Sequence, residues 1–218
     1  MEFALLGWAE ADPTLRLDYR RFSYAGKFVT GGTGVAVIRG DAAGSATGDS
    51  STDAESDDTD SLASLPDGVA ENDFAADILA AIAFSPDRTD PSTLKIRYLT
   101  VRDDRRGDGS QLGPKLVAFL TSRAAAAGYD RITIAVNNAF SYHALYKAGF
   151  TYTDRETGLA ELVLDRPISE PAVASQSGYQ NGLDLFRERT GLSTAETAFL
   201  AAYDDAEPPS LLPTLRQS

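Results

Sequence analysis

Apolar residues follow two rhythms along this chain. Before the middle they come in short dense runs bounded by Pro and Gly, which predict strands at Phe3–Trp8, Leu15–Asp18, Phe22–Phe28 and Val35–Arg39. Two further runs, Ile78–Phe84 and Leu94–Val101, flank Ser85–Ser92, whose two prolines and two aspartates mark a turn. Then the period changes. Leu112, Leu116, Phe119, Leu120, Ala124 and Ala127 recur at three- and four-residue spacings, an amphipathic helix stopped by Gly128. A strand at Arg131–Val136, a short helix at Ala139–Ala148 closed by Gly149, and a hairpin of Phe150–Asp154 with Leu159–Asp165 follow. Beyond Pro167 and Pro171 the pattern is helical again. One helix is expected over Gly178–Arg189, and Ser193 with Glu196 forms a capping box that opens another.

The stretch from Gly40 to Asp73 breaks both rhythms. It is built of Gly, Ser, Thr and Asp and holds no Lys, Arg or His. Too little apolar surface is available there to offset the entropy of ordering, so a solvated, weakly ordered insertion is expected. Asp58-Thr59-Asp60 lacks the later Gly and Glu of a calcium loop.

Acidic residues outnumber basic ones 32 to 20, for a formal charge of −12. That disfavours nucleic acid and anionic membrane surfaces, which draw on clustered Lys and Arg. No run approaches the roughly 20 apolar residues of a membrane span, and the start lacks a basic leader, so a cytoplasmic protein is expected. Aspartate exceeds glutamate, and lysine stands only at Lys27, Lys95, Lys115 and Lys147, a balance that resembles proteins of salt-loving archaea. The chain has no cysteine and one histidine, His143. Thiolate chemistry is excluded, no metal centre is expected, and no Gly-x-Ser-x-Gly elbow accompanies His143.

The segment richest in chemistry is Val101-Arg-Asp-Asp-Arg-Arg-Gly-Asp-Gly-Ser-Gln-Leu-Gly-Pro-Lys-Leu116. A strand runs into a loop with Gly107, Gly109 and Gly113, and the loop opens a helix. Glycines let backbone N–H groups turn inward, and a helix start leaves donors unpaired beside the positive end of its dipole. Such a loop seats a phosphate, with Arg105 and Arg106 at its rim; a plain surface turn would show the same residues. It is neither a Walker loop nor a dinucleotide fingerprint, because the Lys-Ser/Thr and the two-then-three glycine spacing are missing.

A second segment, Ile134-Ala-Val-Asn-Asn-Ala-Phe-Ser-Tyr-His-Ala-Leu-Tyr-Lys-Ala-Gly-Phe150, reads strand, Asn turn, helix, Gly stop, strand. Together the two resemble the Gcn5-related N-acetyltransferase superfamily over about residues 78–165. The family pattern is a strand ending Leu-x-Val, a loop Arg/Gln-x-x-Gly-x-Gly/Ala opening a helix, then a strand, an Asn, and a helix ending Leu-Tyr-x-x-x-Gly-Phe. Leu99-Thr-Val101, Arg106-Gly-Asp-Gly109 and Leu145-Tyr146-Lys-Ala-Gly149-Phe150 answer it in order. Ser110-Gln111 stand as an insertion that brings Leu112-Gly113 into register, and Asn138 precedes Tyr146 by eight residues where the family usually has seven.

The resemblance implies an α+β fold, a central mixed sheet flanked by helices in three layers. It implies a domain over 1–165, interrupted at 40–73, with a helical extension over 166–218. It implies acetyl-CoA or another acyl-CoA as cofactor, its pantetheine paired with Leu99 and Val101. The pyrophosphate would sit on Arg106, Gly107, Asp108, Gly109, Gln111, Leu112 and Gly113, with Asn138 as a further contact. It implies direct acetyl transfer to a small-molecule or peptide amine, with Tyr146 protonating the departing thiolate. Tyr142 and Tyr146 lie one helical turn apart, so core packing is the competing reading of both. No carboxylate lies within Ile78–Phe84 to serve as general base. The N-terminal third shows strands where the family has two helices, so the C-terminal helices are expected to cover that surface or form a homodimer contact. A non-catalytic acyl-CoA-binding regulatory module, or an interaction protein whose loop binds nothing, are the alternatives.

Overall fold

The computed structural model describes residues 1–40, 65 and 69–212. Seven strands form one mixed sheet: β1 (Glu2–Gly7), β2 (Gly34–Arg39), β3 (Ile78–Pro86), β4 (Thr93–Val101), β5 (Arg131–Val136), β6 (Thr151–Glu156) and β7 (Leu162–Pro167). Their spatial order is β1-β2-β3-β4-β5-β7-β6. β4 and β5 pair in parallel, and every other neighbouring pair is antiparallel. A parallel pair needs a long crossover, and helix α1 (Leu112–Ala126) supplies it. α2 (Ala139–Lys147), α3 (Gln176–Arg187) and α4 (Thr194–Ala202) complete the α-helices among the described residues. The expected α+β architecture is therefore present.

The dense apolar runs of β2 and β3 have a physical reason, because both of their faces are covered. On one face Ala36, Ile38, Ile82 and Phe84 pack into a core with Leu116 and Leu120 of α1. On the other, Val35, Val37, Ala81 and Ala83 pack against Leu15, Leu17, Phe22 and Phe28. The second covering layer is irregular chain. The strands expected at Leu15–Asp18 and Phe22–Phe28 are not formed: the segment runs through turns and a 3₁₀ turn at Ala25–Lys27. Asp18 is the cause. Its carbonyl accepts from the Arg21 and Phe22 N–H groups, and its carboxylate takes the Arg20 N–H and guanidinium. The apolar residues do bury, but as a lid on a sheet face; a short apolar run does not distinguish a strand from such a lid.

Beyond β7, the residues expected as a helical extension add Tyr179, Leu183, Phe186 and Leu200 to the same core that holds α1 and α2. The capping box is present at α4, and Ser175 caps α3. Most of the acidic stretch placed at 40–73 lies outside the described residues, as do residues 213–218. Its end, Glu71–Asp73, is a 3₁₀ turn. No helix among the described residues is long and apolar enough to cross a membrane.

Candidate functional site

β4 changes register at its middle. Against β3, Ala83 pairs with Tyr98 and Phe84 with Ile96, so Arg97 is an extra residue, a β-bulge. The bulge flips the alternation: Leu94 and Ile96, then Leu99 and Val101, face the α1 side, while Tyr98 joins the opposite cluster. Pairing of β4 with β5 stops at the same place, with Ile96 opposite Ile134. Past it, Ala135 and Val136 stay with β7. The two parallel strands thus part into a notch, edged on one side by Tyr98–Val101.

The start of α1 abuts that notch. A Cβ built on Gly113 would lie 3.7 Å from Val101 Cγ2 and 3.8 Å from Leu99 Cδ2. Ahead of it, Gly107, Gly109 and Gln111 take positive φ of 75°, 80° and 54°. The two glycines carry that conformation without cost, and Gln111 carries it as a strained N-cap whose side chain makes no cap bond. The N–H groups of Leu112 and Gly113 therefore have no side-chain cap, Pro114 has none to give, and the helical ladder begins with Lys115 N–H on the Gln111 carbonyl. A cleft of about 290 Å³ opens beside the helix start, on the β3 side of β4, lined by Met1, Gly40, Leu79, Arg102, Arg105, Asp108, Ser110 and Leu112. The Ser110 hydroxyl is buried in it without a partner among the described residues.

Charges around the cleft are unequally free. Arg102 grips Asp104 with two hydrogen bonds of 2.7 and 3.1 Å, which hold that carboxyl below the usual range. Arg106 is a brace: it donates to the Val101 carbonyl at 3.0 Å and to Ser23 Oγ at 2.9 Å, and it pairs with Asp103 at 3.1 Å. Arg105 is half-exposed, its carboxylate neighbours no closer than 3.9 Å, and is the cation best able to meet an anion. The Asp108 carboxylate accepts from the Ser110 N–H at 2.8 Å. It occupies a donor that an anion would otherwise use. Asn138 caps α2, its Oδ1 accepting from the Ser141 N–H at 2.8 Å.

Tyr146 lies elsewhere. It is 2% exposed. Its hydroxyl accepts from the Tyr152 N–H of β6 at 3.0 Å and from the Tyr142 hydroxyl at 3.0 Å. The one Tyr142 proton has the Gly178 and Tyr179 carbonyls of α3 within reach as alternative acceptors, and the Tyr146 hydroxyl itself donates toward the Gly178 carbonyl. Burial pushes both phenols up. β6 is the far edge of the sheet, and β7 and β5 separate it from the notch. Spacing in the sequence agrees. Two residues separate Tyr146 from Gly149 where the Leu-Tyr-x-x-x-Gly-Phe pattern has three, and the gap from Asn138 is one residue too long. Both put Tyr146 one position, about 100° of helix, past the motif's tyrosine, and Leu145 stands there instead.

The structure thus brings Gly113 against Leu99 and Val101 at the notch, sets Asp108, Ser110 and Leu112 around the cleft beside it, and holds Tyr146 in a tyrosine cluster under α3. The bulge at Arg97 and the bonds of that cluster to α3 and β6 are not expected from the sequence, which offers only core packing as the competing reading of Tyr142 and Tyr146. One signal for the cluster was available. Gly178 and Gly182 stand four apart on α3, and a Cβ on Gly182 would lie 2.6 Å from Tyr142 Cε2.

No protein-family model matches the chain, and no curated protein sequence matches it. Solved structures resemble parts of it. An N-acetyltransferase from Staphylococcus aureus Mu50 is 19% identical with a TM-score of 0.38, over 43% of this chain and 62% of that one. A Gcn5-related N-acetyltransferase from Kribbella flavida is 22% identical with a TM-score of 0.36, over 42% and 61%. A candidate acetyltransferase from Salmonella typhimurium, solved with acetyl-CoA, is 18% identical with a TM-score of 0.39, over 66% and 69%. The chain spans about three-fifths of the length of the first two.

Proposed function

We propose that this chain binds an acyl-CoA at the β4–β5 notch and transfers the acetyl group directly to an amine. The observation that carries the reading is the coincidence of three features: strand pairing ends at Ile96, β4 runs on to Val101, and an uncapped helix start lies against Leu99 and Val101. An exposed strand edge accepts an extended amide-bearing chain, as in strand addition. The backbone of Leu99–Val101 would hold the pantetheine. The N–H groups of Leu112 and Gly113, the Gly107–Gln111 turn and Arg105 would receive the pyrophosphate. Bound acyl-CoA supplies a thioester carbonyl open to attack by an amine. The chain's own contribution is to hold the acyl-CoA in one pose and to bring the amine alongside; proximity of this kind accounts for much of an acyl transfer. Tyr146 is not assigned as the acid, because its hydroxyl is engaged at β6.

The test is calorimetry with acetyl-CoA on wild type and Gly109→Val. At φ 80° a β-branched residue strains the turn, and nothing lies within 4 Å of the new Cβ, so the damage is confined to the loop. Binding should weaken about tenfold or more, while the unfolding midpoint moves only as far as one strained residue allows, about 1–2 kcal/mol. An unchanged dissociation constant in the folded variant would remove the loop from the site. A second reading, an acyl-CoA-binding module without turnover, is favoured by one observation, the engagement of the motif region's tyrosine in packing. Tight acetyl-CoA binding with no transfer to any amine would establish it.

A further inference from the structure

We infer that the face of β4 opposite α1 carries an aromatic shelf that binds a cationic primary amine, and that Lys27 fills the shelf in the absence of that amine. As an acceptor site the shelf rests on the acetyl-transfer reading; as a binding site it does not.

The shelf is built by the irregular lid. An open hollow of about 510 Å³ is lined by Tyr19, Phe22, Ser23, Tyr24 and Lys27, among others. Tyr98, just past the bulge in β4, adjoins it: the Tyr24 ring lies 5.9 Å from the Tyr98 ring. Hydrogen bonds fix this wall to the end of β4 and the glycine loop. The Asp103 N–H donates to the Arg21 carbonyl at 2.9 Å, and Arg106 donates to Ser23. The hollow and the cleft at the start of α1 therefore flank the same stretch, Tyr98–Arg106, from opposite faces of the sheet. Tyr98 belongs to both shelf and notch, its ring bordering the shelf and its backbone edging the notch.

Two features of the shelf are not explained by folding. Tyr24 is 52% exposed, so its ring buries little. Tyr24 also holds φ at 62°, a left-handed conformation costing a bulky residue about 1–2 kcal/mol. Strain without burial is typical of a binding position. The third feature names the ligand. The Lys27 ammonium lies 5.8 Å from the centre of the Tyr98 ring, within the range of a cation–π contact. The chain's own primary ammonium thus shows what the ring accepts. A formal charge of −12 draws such cations from solution.

The probe is 1,5-diaminopentane, whose end copies a lysine side chain, with 1,5-pentanediol as the uncharged control. Ring resonances of Tyr24 and Tyr98 are followed by NMR without acetyl-CoA. We expect saturable shifts with the diamine and none with the diol. Lys27→Met, which removes the resident ammonium, should tighten diamine binding several-fold. Tyr98→Leu should weaken it about three- to tenfold, and Tyr98→Phe, which keeps the ring and its packing, should retain wild-type affinity. Equal shifts with the diol, no shift with either probe, or unchanged or weaker diamine binding in Lys27→Met would each overturn the inference. Acetyl-CoA calorimetry on the same sample separates the two proposals. Acetyl-CoA binding without diamine binding sinks the shelf alone, and diamine binding without acetyl-CoA binding sinks the notch alone.

Discussion

Tyr146 and Gly182 face each other's neighbours across the α2–α3 contact, and both roles are set by hydrogen-bond and contact distances. Tyr146→Phe keeps the ring but leaves the part-buried Tyr152 N–H without an acceptor and the Tyr142 hydroxyl without one partner. An orphaned buried donor costs about 1–3 kcal/mol, so urea denaturation should show a loss of that size, with the acetyl-CoA dissociation constant unchanged. A large loss of turnover without loss of stability would restore Tyr146 to the chemistry. Gly182→Ala tests the same contact from α3. Alanine gains about 1 kcal/mol of helix propensity, but its Cβ would meet the Tyr142 ring at 2.6 Å, and overpacking costs about 1–3 kcal/mol. The ring is fully buried and cannot step aside, so the variant should be less stable than wild type. At this scale the sequence went as far as placing Tyr142 and Tyr146 on one helix face. Which partner their hydroxyls would find depended on α3, far along the chain.

Among the elements, β2 and β3 settle what the acidic stretch does for the fold. Arg39 pairs with Ile78, and the Gly40 N–H donates to the Asp77 carbonyl at 2.8 Å. The two ends of the stretch are therefore held side by side by the strands themselves. Replacing residues 41–68 with a short Gly/Ser linker should leave the unfolding midpoint and acetyl-CoA binding unchanged or slightly improved, because each halving of loop length lowers closure cost by about 0.6 kcal/mol. The linker stops before Asp73, which accepts from the Ala70 N–H, and Phe74, which packs against Tyr19. A variant that fails to fold would show that the stretch packs as structure. The strands themselves were legible from their apolar runs. The bulge in β4 was not, since Arg97 carries no mark of it and only the registers against β3 and β5 reveal it.

For the molecule as a whole, His143 gives the clearest pH signature. It is 7% exposed, between α2 and the C-terminal helices, with Nδ1 2.7 Å from the Tyr179 hydroxyl and the Phe199 and Tyr203 rings against it. Burial, and then the Lys147 charge on the same helix, push its pKa down to about 4. The unfolded chain binds a proton near pH 6.5, where the folded chain does not. Stability should be full above that pH and fall as pH drops toward 4, by about 2–4 kcal/mol in all. Asp18, Asp104 and Glu196, all shifted downward, act below this window. Denaturation midpoints between pH 7 and 4 should therefore slope in wild type and flatten in His143→Asn. Equal slopes would assign the acid sensitivity to other groups. This sensitivity ties the C-terminal helices to the sheet domain in one core, a dependence that the proline-marked break at Pro167–Pro171 did not announce.

By itself the sequence determined the strands of the sheet core, the four helices of the described residues, the Gly128 and Gly149 stops, the capping box of α4, and the glycine loop at the start of α1. These follow from local chemistry: apolar period, Pro and Gly punctuation, and side chains that cap their own neighbours. Only the tertiary structure decided where β4 leaves β5, how the apolar runs at Leu15–Phe28 fold into a lid, and that Tyr146 turns to β6. Each of those depends on pairing between residues distant in the chain. There a one-residue offset flips a strand face or turns a helix side chain by 100°, and the local pattern barely changes.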